Sequence, residues 1–252
     1  MMNLVRAELL KLRTVRLPLW LLVTTLVLTL FSVVATVLTA GLDGSPIPRD
    51  SPDLLALAAA SASSGSIVLL ILGIMVLTQE FRFGTATPSF LVTPKRWKVL
   101  VAKLIGVAIA GLVFAAIATV VALVAAAALI SLRGDALVFD GRVVQVLLGV
   151  GLVMLLYGPI GVGVGALVRN QIAAIVGVLA FTFIVEQLVI ALLPEVGRSL
   201  PGGAANAVLQ LGEVATTNGS LPPVWGGALL LIGYALVFSA LGAALTLRRD
   251  LT

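Results

Sequence analysis

Six long apolar runs, separated by short polar segments, fill most of the chain: residues 17–40, 54–78, 99–130, 143–168, 172–193 and 224–247. A helix needs about 20 mostly apolar residues to cross the hydrocarbon core of a bilayer, and every run is long enough. The runs lack the polar face that a helix of a soluble protein turns to water. They also lack the roughly ten-residue alternating strands of a transmembrane barrel. In lipid the backbone amides must be satisfied within the segment, which selects helices. The pattern predicts an all-α membrane protein, with six transmembrane helices in one transmembrane domain spanning residues 1–252.

The segment before the first run has a helical period of its own. Met2, Val5, Leu9 and Leu12 fall on one side, Arg6 and Arg13 on another, and Lys11 stands near Glu8. Residues 1–16 are therefore expected to form an amphipathic interfacial helix lying in the membrane plane, its basic groups among anionic headgroups. An ordinary basic stop ahead of the first span is the alternative. The first apolar run exceeds the 7–15 residues, roughly, of a signal core, so no cleaved signal is expected.

Charge then orients the spans. With the N-terminus inside, the inner segments hold twelve of the sixteen Lys/Arg and three acids, while the outer loops hold four Lys/Arg and seven acids. That asymmetry satisfies the positive-inside rule without rearrangement. Both termini are expected to be cytoplasmic, in a multi-pass protein of the plasma membrane. The net charge of +5 could suggest nucleic acid, but its distribution argues for a membrane instead, so no nucleic-acid partner is expected.

Composition removes several chemistries. Hydrophobic residues make up 60% of the chain and charged residues 11%. There is no Cys and no His, hence no thiolate site and no imidazole base or ligand. No Gly is followed by Lys, so a phosphate-cradling G-x-x-x-x-G-K-[ST] loop is missing. A catalytic site, a bound cofactor and a metal site are accordingly not expected in this chain.

The cytoplasmic loop 79–98 is the densest polar stretch. Gly84, Thr85, Thr87 and Ser89 are turn and cap residues, and Pro88 and Pro94 break helices. Thr93-Pro94 has the form of an N-cap followed by proline at the first helical position. Lys95, Arg96 and Lys98 then fall at the end of the helix dipole least favourable to cations, which suggests an external anionic partner, lipid or acidic protein. A generic positive-inside loop explains the charge equally well.

Within the spans, Glu186 is the deep acid, and such a group in a membrane calls for a reason. With Gln187 and Tyr157 it could line a substrate path or its outer gate. It could instead be a structural carboxyl bonded to Tyr157, Arg198 or a partner helix. Ser61, Ser63, Ser64, Gly65 and Ser66 are expected to serve close packing, as is the G-x-x-x-G at 161–165, with Pro159 bending its helix. The outer segment 194–223 is too apolar for a free loop, and short re-entrant or interfacial helices are expected there.

Several motifs taken in order resemble a known family. Glu8-Leu9-Leu10-Lys11-Leu12-Arg13-Thr14 resembles the E-x-x-K-L-x-T opening of bacterial ABC-2 type permeases. Glu80-Phe81-Arg82-x-Gly84-Thr85 is similar to the E-x-R-x-G-T after their second span. Thr93-Pro94-x-Arg96 and Ala102-Lys103 also match a pattern common among actinobacterial members, Arg169-Asn170-Gln171 resembles the turn between their fourth and fifth spans, and Glu186 with the stretch 197–203 resembles their outer region. The resemblance implies a permease fold of the type V exporter kind, with no ATPase of its own. ATP and magnesium would be bound by two copies of a separate cytoplasmic ATPase subunit. A second permease copy or a paralogue would complete a dimer in the lipid bilayer. Glu8, Lys11, Arg13, Glu80, Arg82, Gly84, Thr85, Pro94, Lys95, Arg96 and Lys98 would form the ATPase-coupling surface. The implied activity is export of a hydrophobic or amphipathic compound such as a drug, antibiotic, peptide or lipid. A non-transporting immunity or sensing partner and an ion-coupled carrier are the alternatives, although a carrier would place several acids within spans.

Overall fold

The computed structural model describes residues 1–49, 51–82, 96–168, 170–211 and 221–248. Eleven α-helices follow in chain order among these residues. They are α1 (Met2–Thr14), α2 (Leu17–Thr39), α3 (Leu54–Ala60), α4 (Ser66–Arg82), α5 (Arg96–Leu132) and α6 (Gly141–Val168). Then come α7 (Gln171–Ala180), α8 (Glu186–Leu192), α9 (Pro194–Gly197), α10 (Pro201–Val208) and α11 (Val224–Arg248). The described residues contain no strand. Six helical segments are long and apolar enough to cross a membrane: Leu17–Thr39, Leu54–Glu80, Trp97–Leu132, Gly141–Val168, Gln171–Leu192 and Val224–Ala244. They coincide with the six apolar runs.

Two spans depart from a simple helix. The second is interrupted by a 3₁₀ segment, Ser61–Gly65, joining α3 to α4. There Ser63 Oγ donates to Ala60 O and Ser64 Oγ to Ser61 O, both at 2.7 Å. Serine hydroxyls that take up nearby carbonyls loosen the regular ladder, which accounts for the break. The fifth span carries a π-turn, Phe181–Val185, between α7 and α8. An extra residue in one turn resets the phase of every residue after it, so α8 presents a different face from the one a continuous α-helix would.

The hub is α6, which packs against α4, α5 and α11. Its glycines make that possible. A side chain at Gly161 would strike the backbone carbonyl of Leu70 on α4, and one at Gly73 of α4 would strike the carbonyl of Gly158. These two helices therefore meet backbone to backbone, as small residues allow in membranes. On another side, a Cβ at Gly163 would lie 2.5 Å from the backbone of Phe238 on α11. Pro159 sits inside α6 without ending it. Burial follows from this arrangement: 61% of the second span's most apolar window and 50% of the fourth's are buried, against 6% for the fifth.

At the end of the bundle remote from α1, arginines fasten the helix ends. Arg133, just past α5, donates to the carbonyls of Val37 and Ala40 at the C-terminus of α2, the latter at 2.9 Å. Those carbonyls have no partner within their own helix, so a cation there satisfies both hydrogen bonding and the dipole. Arg142 at the start of α6 pairs with Asp53 ahead of α3.

Candidate functional site

The described residues hold one compact cluster of opposite charges on the membrane-spanning body, at the end that carries α1. Lys103, two turns into α5, is 2% exposed. Its Nζ donates to Glu8 Oε2 of α1 at 3.0 Å and to Glu80 Oε1 of α4 at 2.6 Å. Lys11 Nζ donates to the other oxygen of Glu8 at 2.7 Å and to the same Glu80 Oε1 at 3.1 Å. Two ammoniums and two carboxylates thus alternate, and each acid is shared by both bases. The cluster is neutral as a whole, which suits a site where an isolated charge would be severely penalised.

Local structure builds this arrangement. Glu8 and Lys11 are three apart on α1 and share a face. That face keeps Val5, Leu9 and Leu12 of the stripe expected from the sequence, loses Met2 and gains Leu4 and Glu8. Leu4, Val5, Leu9 and Leu12 are half-buried and Glu8 is buried among them, whereas Met2 is exposed. The inward side of α1 therefore carries an acid, because Lys103 waits beneath it. One turn along α5, a Cβ on Gly106 would meet the Glu8 Cβ at 3.4 Å, an ordinary contact distance. Glu80 comes from the last turn of α4, so the exit of the second span and the entry of the third are joined through the interfacial helix.

The charges respond to this setting. Burial pushes the Glu8 carboxyl up, but Lys103 and Lys11 together outweigh it and hold the group below its ordinary value of 4.5. Partial burial pulls the Lys11 ammonium down, yet Glu8 and Glu80 hold it above its ordinary 10.5.

Of the residues expected to couple to an ATPase, Glu8, Lys11 and Glu80 meet in this cluster and pair with one another through Lys103 rather than standing free. Arg13 is exposed, beside a cavity of about 410 Å³ between α1 and α5 that Leu9, Pro18 and Phe114 also line. Arg82 is exposed at the end of α4. Lys98 has its Nζ 5.9 Å from the ring centroid of Trp97. Arg96 opens α5, while Gly84, Thr85, Pro94 and Lys95 lie outside the described residues. The expected Thr93-Pro94 cap lies there too.

The second expected group sits at the opposite end and divides. Glu186, 2% exposed, accepts from the backbone N–H of Gly202 at 2.6 Å. Gly202 is the second residue of α10, so a carboxylate from the fifth span takes up one of that helix's unpaired amides. A Cβ on Gly202 would lie 2.9 Å from the Glu186 carboxyl, so the two are in close contact. Tyr157 does not bond Glu186: its hydroxyl donates to Pro201 O at 3.1 Å. Arg198 pairs with Glu195 at 2.5 Å. Gln187, next in line, faces outward. A groove of about 860 Å³ nearby runs along α11 between Arg198, Trp225, Tyr234 and Phe238, and none of the three expected path residues lines it.

Sequence reasoning singled out Glu8, Lys11 and Glu80 but did not connect them to Lys103. The signal was present in depth. Glu80 ends one span and Lys103 begins the next, so antiparallel neighbours place both at one level of the membrane. The chain matches no known protein family and no curated protein.

Proposed function

We propose that this chain is the membrane-spanning permease half of an ATP-binding cassette exporter of the ABC-2 type. It is driven by a separate cytoplasmic ATPase present in two copies and moves a hydrophobic or amphipathic compound out across the plasma membrane. The observation that carries the reading is the Lys103 cluster. Three segments that resemble ABC-2 motifs, around Glu8-Lys11, Glu80 and Lys103, come together through their charged residues. A force on the interfacial helix, or on the basic loop that follows Arg82, would therefore pass to the second and third spans together, because their ends share one ion network.

In this reading α1 and the loop lie on the cytoplasmic side. The ATPase supplies the ATP and magnesium sites, and this chain supplies the path and no catalysis. Lys95, Arg96 and Lys98 present positive charge to acidic residues of the ATPase. Glu8, Lys11 and Glu80 stand behind that surface and transmit its motion. The test is gentle purification from native membranes. A cytoplasmic ATPase should co-purify near stoichiometric amounts, with ATP hydrolysis that depends on this chain. Changing Lys95, Arg96 and Lys98 to Glu together should abolish that association while membrane insertion persists. Wild-type chain that purifies with no ATPase and supports no hydrolysis would sink the proposal.

A further inference from the structure

We infer that α1 and α5 together hold one anionic phospholipid of the surrounding bilayer, its phosphate between Arg6 and Arg13 and an acyl chain in the cleft beneath them. That cleft is the cavity of about 410 Å³ beside Arg13. The described residues that line it are two arginines and eight apolar residues, with no acid among them. It is an apolar slot whose only charge is positive.

The charge comes from how α1 sorts its side chains. Lys11 is turned to Glu8 and Glu80, which neutralise it. Glu8, the one acid of α1, is buried against Lys103 and out of reach of the arginines. Arg6 and Arg13 stand seven positions apart, which brings them back to nearly the same face, about 10 Å apart along the axis. Both are exposed, and neither guanidinium has an ion-pair or hydrogen-bond partner among the described residues. Two such long side chains can converge on one phosphate, each through paired N–H donors.

The walls of the cleft decide what kind of anion it takes. Ile109 and Val113 lie about 9 and 15 Å beyond Lys103 along α5, on the side of the span. Both are exposed, while Phe114, buried, closes the floor. A headgroup alone would leave these walls bare. A peptide entering the slot would bring backbone amides that apolar walls cannot satisfy. A phospholipid brings an anion and then a chain without polar groups, in the order in which the cleft offers its arginines and its apolar walls. Seated there it touches α1 and α5 at once, and so adds a second tie between the interfacial helix and the bundle to the one made by Lys103. The family resemblance would give Arg13 to an ATPase; the cleft gives it to a lipid.

The inference stands on the membrane spans and needs no ATPase. Its test offers dioleoyl phosphatidylglycerol and dioleoyl phosphatidylcholine together to the purified full-length chain in a neutral detergent, with bound lipid read by native mass spectrometry. One phosphatidylglycerol per chain should be retained in preference to phosphatidylcholine. Changing Arg6 and Arg13 to Gln together should weaken that retention by roughly 10- to 30-fold, the scale of two cations at an anionic surface. Arg16→Gln, which removes a charge outside the cleft, should leave it unchanged, whereas Arg13→Gln alone should not. Val113→Trp fills the cleft and keeps every charge, and should weaken retention by roughly tenfold, the scale of two methylenes losing their apolar contact. The inference falls if the wild type does not prefer the anionic lipid, if Arg16→Gln weakens retention as much as Arg13→Gln, or if Val113→Trp has no effect. It falls too if the double arginine variant keeps its lipid and sheds a co-purifying ATPase, since the arginines would then belong to a protein partner. Lipid retained by a chain that never recruits an ATPase would keep this site and overturn the transporter reading instead.

Discussion

Lys103 is the residue on which the most depends, because it is almost fully buried and touches two carboxylates. Removing one member of such a network leaves the others charged and unpaired, at a cost of about 3–5 kcal/mol. Lys103→Ala should therefore lower thermal stability in detergent sharply and expose α1 to protease. The combined change Lys103→Met, Glu8→Gln and Glu80→Gln should recover much of the loss, since it withdraws the buried charges together and leaves charged only Lys11, whose side chain is 52% exposed. If Lys103→Ala alone melts like the wild type, the network has no structural weight. The same cluster sets a pH range. The carboxyl of Glu8 is held below its ordinary value, so its contribution is complete above pH 4.5 and lost as the pH falls through its lowered folded-state value. For Lys11, held above its ordinary value, the contribution is complete below pH 10.5 and lost as the pH rises past that. Protection of α1 against hydrogen exchange, taken relative to the intrinsic rate at each pH, should accordingly stay flat between about pH 5 and 10 and fall outside that range. A midpoint near neutrality would contradict this assignment.

Among the elements, α4 and α6 are the pair whose contact is set by missing side chains. Gly161→Ala would drive a methyl into the Leu70 carbonyl, and backbone cannot turn aside as a side chain does. Such overpacking costs about 1–3 kcal/mol. Gly151→Ala, on the same helix but with open space around it, should be neutral, so comparing the two melting temperatures isolates the contact. Equal melting temperatures would remove the close approach. Helix-level features were legible in the sequence to different degrees. The six spans were, because hydrocarbon demands long apolar runs and nothing else in the chain imitates them. The G-x-x-x-G of α6 could be read as a packing motif, but its partner could not, since spacing fixes one face of a helix and says nothing of what lies against it. The 3₁₀ segment and the π-turn stayed hidden: both are local phase changes, and an apolar run has too little polar contrast to register them. For the same reason Glu186 could be recognised as costly at its depth while its bond to the Gly202 amide could not be foreseen. The inward turn of Glu8 was missed because its partner lies 95 positions away in the chain.

At the scale of the whole molecule, charge is divided between the two ends. Among the described residues, nine of thirteen Lys/Arg belong to segments at the α1 end, while five of eight acids lie at the other. This is the asymmetry by which membranes orient helices, so the α1 end should face the cytoplasm. The buried network does not weaken the argument, because it is neutral: Glu8 and Glu80 cancel Lys11 and Lys103, leaving Arg6, Arg13, Arg16, Arg82 and the loop cations to set the bias. Both chain ends should then be inside. The absence of Cys makes the matter directly measurable. Asp43→Cys, in the exposed turn after α2, should react with a membrane-impermeant maleimide in intact cells. Asn3→Cys, exposed on α1, should react after permeabilisation and not before. Neither position belongs to a helix contact described above, so both variants should fold normally. Labelling of Asn3→Cys in intact cells would invert the topology. It would also place the Lys103 cluster on the side of the membrane where no cytoplasmic ATPase could reach it, and the proposed coupling would fail with it.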